Sequence, residues 1–215
     1  DYLRYKPKVA LLGEYHLKVR SYFTRMFGYF ILPYAVDDIF LNTLIDKSND
    51  SINKNQAIFT SRNDRNLDLL IDIWCNQIFS KLKKYKLLIT PIKKDNLSKF
   101  NIYNRLLKSR QNLINDLLKS RMLLVPGHKA ELYCLAAEEA RELCVPIVTM
   151  GIGSLYERVE HEKTGYIAQS KKEFAHFAIE LFNNDDIWNE FRSNLLKLRS
   201  TKNWEKSAKI LIDNK

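Results

Sequence analysis

Four short, predominantly apolar runs, at 57–60, 87–90, 122–125 and 145–149, punctuate the chain. Between them apolar residues recur at spacings of three and four. Leu67, Leu70, Ile71, Trp74 and Ile78 make one such helical face, and a second helical stretch is expected through Leu106, Leu107, Leu113, Leu117 and Leu118. A strand without a polar face must be covered on both sides, which is the condition of a parallel sheet. The cadence strand, helix, strand, helix therefore predicts a doubly wound, Rossmann-like α/β domain, whose ligands bind beyond the carboxyl ends of the strands. Residues 132–143 are expected to be helical and 165–168 extended. Closing helices are expected at 171–183, 186–199 and 203–213.

Upstream of this alternation the character changes. Tyr22, Phe23, Met26 and Phe27 share one face of a helix expected near 15–27. Residues 29–36 read as a strand whose Pro33 suits an edge. The stretch DKSNDSINKN at 46–55 has the composition of an exposed linker. The expected organisation is thus an N-terminal remnant and interdomain segment (1–45), a linker (46–55) and a ligand-binding domain (56–215). A length of 215 residues fits one domain with an appendage. The chain begins at Asp1 rather than at a methionine, which leaves open both a fragment preceded by a partner domain and a chain that acts alone.

With 46% hydrophobic and 28% charged residues the chain is neither disordered nor a disulfide scaffold. Cys75, Cys134 and Cys144 form no C-x-x-C pair, and His16, His128, His161 and His176 have no ligand-like spacing, so no metal site is expected. Reduced thiols, no signal peptide and no apolar run of about 20 residues predict a cytoplasmic protein. The net charge of +10 favours anionic partners: nucleic acid, anionic lipid or nucleotide phosphates. Basic residues lie scattered rather than interleaved with aromatics on one surface, so nucleic acid is not the expected partner.

Neither a G-x-G-x-x-G fingerprint nor a Walker loop is present. Arg62 and Arg65 stand three apart at a strand end, just before a helix, where guanidinium groups can clamp a diphosphate without a metal; arginines in loops are otherwise solvated surface charge. Glu131 precedes a helix and Glu139 lies about two turns into it, so both can face one crevice and accept hydrogen bonds from sugar hydroxyls. Glu138 and Glu142 leave open the alternative of a solvated acidic face. Gly151 and Gly153 follow the fourth strand, either as a plain turn or as a close approach of backbone to ligand. His128 lies in the same loop as Glu131, as a ligand contact or an ordinary polar residue.

Four blocks in order, ELYCLAAEEA from Glu131, PIVT from Pro146, GSLYERV from Gly153 and TGYIA from Thr164, resemble the C-terminal domain of family 4 (group 1) retaining glycosyltransferases of the GT-B fold. PYAVD from Pro33 resembles that family's interdomain segment, and Ser61-Arg62 to Arg65-Asn66 its basic clamp. The resemblance implies a nucleotide-sugar-binding domain over 56–215. It implies Glu131 as the first glutamate of an E-x7-E motif near the donor sugar, and Glu139 as the second, on the ribose. Arg62 and Arg65 would neutralise the leaving diphosphate, with amides around Leu135 and Ala136 adding to the site. His128 and Gly153 would complete the donor contacts. Arg65 replaces a more usual lysine, and Asn66, Leu132, Cys134 and Cys144 stand where glycine is common. The implied activity is glycosyl transfer with retention, without an obligatory metal or other cofactor, to a glycan or lipid-linked acceptor, with peripheral contact to an anionic membrane. A noncatalytic nucleotide-sugar-binding or scaffolding module, and more remotely an RNA-binding protein, are the alternatives.

Overall fold

The computed structural model describes residues 2–45 and 52–214. Its first part runs from helix α1 (Tyr2–Tyr5) through strand β1 (Val9–Leu11) and helix α2 (Glu14–Val19) to a 3-10 turn (Phe23–Met26), strand β2 (Tyr29–Ile31) and helix α3 (Asp38–Leu41). β1 and β2 pair in parallel as a two-stranded sheet of their own. The helix expected over 15–27 is broken because Arg20 turns extended and the Ser21 side chain accepts from the Thr24 amide, starting a new turn. The expected strand at 29–36 stops at Ile31, ahead of Pro33.

The main domain holds β3 (Asn53–Ile58), α4 (Leu67–Ile73) prolonged by a π turn (Trp74–Ile78), β4 (Lys86–Ile89), β5 (Ile102–Asn104) and α5 (Arg110–Leu118). β6 (Ser120–Gly127), α6 (Leu135–Glu142), β7 (Ile147–Ile152), β8 (Gly165–Ile167), α7 (Lys171–Asn183), α8 (Asp185–Leu198) and α9 (Trp204–Asp213) follow. The six strands form one parallel sheet in the order β5-β4-β3-β6-β7-β8. The chain therefore winds outward from β3 in one direction, then restarts at β6 and winds in the other. Between β3 and β6 the order reverses, and the crevice beyond their carboxyl ends is where such sheets bind ligands.

Burial explains the pattern. All eight positions of β6 are buried, as a central strand covered by helices on both faces requires. α7 buries Phe174, Ala175, Ala178, Leu181 and Phe182, and each large side chain so removed from water contributes about 1.5–3 kcal/mol. Phe182 stacks on Tyr85 with ring centroids 3.9 Å apart. Fully buried Arg121 bonds the Leu181 and Asn184 carbonyls and pairs with Asp185 at 2.7 Å, so β6 is tied to the α7–α8 junction and no charge is left alone.

Two expectations shift. Residues 46–51 of the expected linker lie outside the described residues, whereas Asn53–Asn55 belong to β3. The polar start of that strand is satisfied by partners: Lys54 meets Asp185 at 2.6 Å and Gln56 donates to Ser120 Oγ at 2.8 Å. Leu106 and Leu107 are exposed in a loop instead of lying on a helical face, because the Arg105 amide still bonds β4 and Ser109 caps α5.

Candidate functional site

Beyond the carboxyl ends of β3 and β6 lies a cavity of about 430 Å3. Its β3 side is walled by Thr60, Ser61, Arg62 and Arg65, its β6 side by the loop 130–134 with Leu135, Ala136 and Glu139 of α6, and its outer edge by Leu12 and Tyr34. The sheet reversal and the sequence motifs thus meet in one place.

On the β3 side a sharp turn is needed to enter α4. Asn66 supplies it in the left-handed conformation, φ 62°, while its side-chain amide donates to the Gly127 carbonyl at the end of β6. Arg65 is largely buried, at 14% side-chain exposure, and its Nε meets Glu131 Oε2 at 3.1 Å across the crevice. Arg62 is 73% exposed on the rim. Asp64 lies between them, touching Arg62 and pairing with Arg65 Nη1 at 2.8 Å. The Arg62 hydrogen bond is the main cause that holds its carboxyl down at about 2.

On the β6 side, Glu131 Oε1 accepts from the Cys134 amide at 3.3 Å, which orients the carboxylate toward Arg65 and closes the turn into α6. Cys134 has φ 50° and Cys144, after α6, has φ 57°. Three of the four positions where the resembled family commonly carries glycine therefore keep a glycine-like backbone in this chain, with asparagine or cysteine bearing the strain. Burial pushes the Cys134 thiol up to about 12, so it is an inert packing group rather than a nucleophile. Leu135 and Ala136 open α6, whose first amides have no intrahelical acceptor and point toward the cavity end of the helix.

The three adjacent glutamates separate into distinct roles. Glu138 is 2% exposed and sits between Arg141, at 2.9 Å, and Arg158, at 3.2 Å. Glu142 is fully buried, paired with Arg199 and accepting from the Ser200 amide. Glu139 alone faces the cavity, and burial raises its carboxyl to about 7, against the pull of Arg110 and Arg105. The solvated acidic face is thereby excluded.

His128 and Gly153 are not among the described residues that line the cavity. His128 turns back so that Nδ1 accepts from the Ala130 amide at 3.1 Å. Gly153, at φ 74°, lies beneath the 128–131 loop, where a Cβ would collide with the His128 carbonyl, and the next amide, of Ser154, donates to the Glu131 carbonyl at 2.9 Å. Both shape the loop. Residues of the resembled blocks that carry no predicted role complete the scaffold: Arg158 lies over the Tyr133 ring at 4.2 Å, Tyr133 donates to the Tyr34 carbonyl, and Glu157 accepts from the Glu14 and Tyr15 amides that open α2. The blocks marked the segments, but no spacing in the sequence pairs these side chains with one another. Among the described residues no three His, Cys, Asp or Glu side chains gather as a metal site.

No family model matches the chain, and no curated protein matches it by sequence. Solved structures do match in shape. A variant of S. aureus TarM, solved with UDP among its ligands, superposes with a TM-score of 0.74 at 18% identity over 96% of this chain. The likeness shows the fold: a Rossmann-like parallel sheet of six strands flanked by helices, as in GT-B glycosyltransferases. Sucrose-phosphate synthase of Thermosynechococcus elongatus matches with a TM-score of 0.75 at 14% identity, again over 96% of the chain. Anabaena HepE, solved with UDP and glucose, gives 0.70 at 12% identity over 96% of this chain and 70% of its own. The chain spans 43% of the TarM chain and 57% of the synthase. No helix among its described residues is long and apolar enough to cross a membrane.

Proposed function

We propose that the chain is the donor-binding half of a family 4 type glycosyltransferase, which moves a sugar from a nucleotide diphosphate sugar to a glycan or lipid-linked acceptor with retention of configuration. The observation that carries the reading is the convergence of Arg65, Glu131, Glu139 and the start of α6 on one cavity at the sheet reversal. The left-handed backbone kept at Asn66 and Cys134 supports a working site over a vestigial scaffold.

In this reading the bond between the anomeric carbon and the diphosphate oxygen breaks, and negative charge grows on the departing diphosphate. Arg65, Arg62 and the first amides of α6 meet that charge, and donors preorganised for a developing anion are a main source of catalytic power. Glu139 accepts from the ribose hydroxyls, and Glu131, fixed by Arg65 and the Cys134 amide, stands by the donor sugar. No step is assigned to a metal. The +10 charge fits a protein at the cytoplasmic face of an anionic membrane, near lipid-linked acceptors. The acceptor side of the cleft belongs to a further domain, so this chain alone binds donor and transfers slowly.

The test is a thermal-shift series with UDP-, GDP- and ADP-sugars. A ligand at a hundred times its Kd should raise the melting temperature by about 5–10 °C, and Glu139→Ala and Arg65→Ala should abolish the rise. A wild-type chain that responds to none of the three nucleotide classes would overturn the reading.

A further inference from the structure

Both arginines at the end of β3 are already occupied. Asp64 Oδ1 accepts from Arg62 Nε at 3.0 Å while its Oδ2 meets Arg62 Nη2, so the guanidinium edge is engaged by a carboxylate as a phosphate would engage it. The same Oδ2 accepts from Arg65 Nη1 at 2.8 Å, and the remaining Arg65 Nε lies 3.1 Å from Glu131. Two guanidinium groups thus face two carboxylates, and the clamp is neutral as it stands. Asp64 is half exposed on the short 62–66 loop, and among the described residues its side chain bonds these two arginines and its own backbone, so it can rotate out into water.

We propose that Asp64 is a displaceable internal counterion that occupies N–H groups of the clamp until a diphosphate takes them, and thereby weakens the grip of the clamp on nucleoside diphosphate. The identity of the anion as a diphosphate rests on the reading above. A carboxylate serving here as a plug competes with the ligand for the same N–H groups and adds like-charge repulsion to it. A carboxylate serving only to orient the arginines would do the opposite, because removing it would let two long side chains wander and would cost affinity. The two roles differ in the sign of one measurement.

That measurement is calorimetric titration of wild type and Asp64→Asn with UDP, GDP, ADP and inorganic pyrophosphate. Asp64→Asn keeps the size and the acceptor oxygen but removes the charge, and its exposed position leaves folding unchanged, checked by an equal melting temperature. Tighter binding by about three- to tenfold in the variant, shrinking as salt rises, is expected from an exposed ionic contest. Equal or weaker binding by the variant would overturn the proposal while leaving the donor reading intact. Tighter pyrophosphate binding with no response to any nucleotide would uphold Asp64 as the plug and overturn the nucleotide-sugar reading instead. No binding of any diphosphate by either protein would overturn both.

Discussion

The two walls of the cavity are built on different principles. The β3 wall is a short exposed loop whose ionic contacts are mostly local, Arg62 to Asp64 and Asp64 to Arg65, with Arg65 to Glu131 crossing the crevice. The β6 wall is pinned from beneath: Gly153 and Ser154 brace the 128–131 loop, and Glu138 joins Arg141 to Arg158 inside the protein. One wall is adjustable charge and the other is fixed shape. A ligand whose charge changes during reaction can be met by the first while its hydroxyls are read by the second.

The sharpest way to break this contrast is Glu138→Ala. Removing one member of a buried ionic group leaves its partners desolvated and unpaired, which costs about 3–5 kcal/mol. A urea midpoint well below wild type is expected, together with loss of the shape around Tyr133, over whose ring Arg158 lies. A midpoint equal to wild type would show that the β6 wall is no more rigid than its neighbour.

Glu139 sharpens the contrast by pH. Its carboxyl is raised to about 7 chiefly by burial, whereas an unfolded glutamate titrates near its ordinary value of 4.5. The native state therefore holds a proton that the unfolded chain releases, and stability falls as pH rises from about 4.5 to 7. Glu139→Gln removes this loss. The variant should match wild type near pH 4 and exceed it at pH 8 by about 3 kcal/mol, read from denaturant curves at the two pH values. An unchanged difference across that range would place the carboxylate in water rather than in the wall.

Much of this was legible in the sequence, for reasons that the structure makes plain. The β6 run is apolar because it is central, and the helix at Lys171–Asn183 begins where Ser170 caps it, so periodicity and capping point to the same boundary. β5 was not legible: three residues, two of them exposed, carry no alternation, and only pairing with β4 makes them a strand. Nor was the division of Glu138, Glu139 and Glu142, since helical spacing places side chains around an axis but the arginines Arg158 and Arg199 that claim Glu138 and Glu142 come from 20 and 57 residues downstream. The paired arginines hid a similar asymmetry. Spacing made Arg62 and Arg65 equivalent, and the depth of the crevice separates them.

That separation gives the smallest effect on stability and the finest test of the two-wall view. Arg62 stands on the rim with its charge largely in water, where an ion pair with a neighbour two residues away contributes little. Arg62→Ala should therefore leave the melting temperature of the empty protein unchanged, while Arg65→Ala lowers it by stripping Glu131 of its partner in a less exposed place. Under a diphosphate ligand both variants should bind more weakly, with Arg65→Ala losing more and Arg62→Ala losing an amount that fades in high salt. If Arg62→Ala destabilised the empty protein as much as Arg65→Ala does, the β3 wall would be as firmly built as the β6 wall. The difference between an adjustable and a fixed side would then vanish.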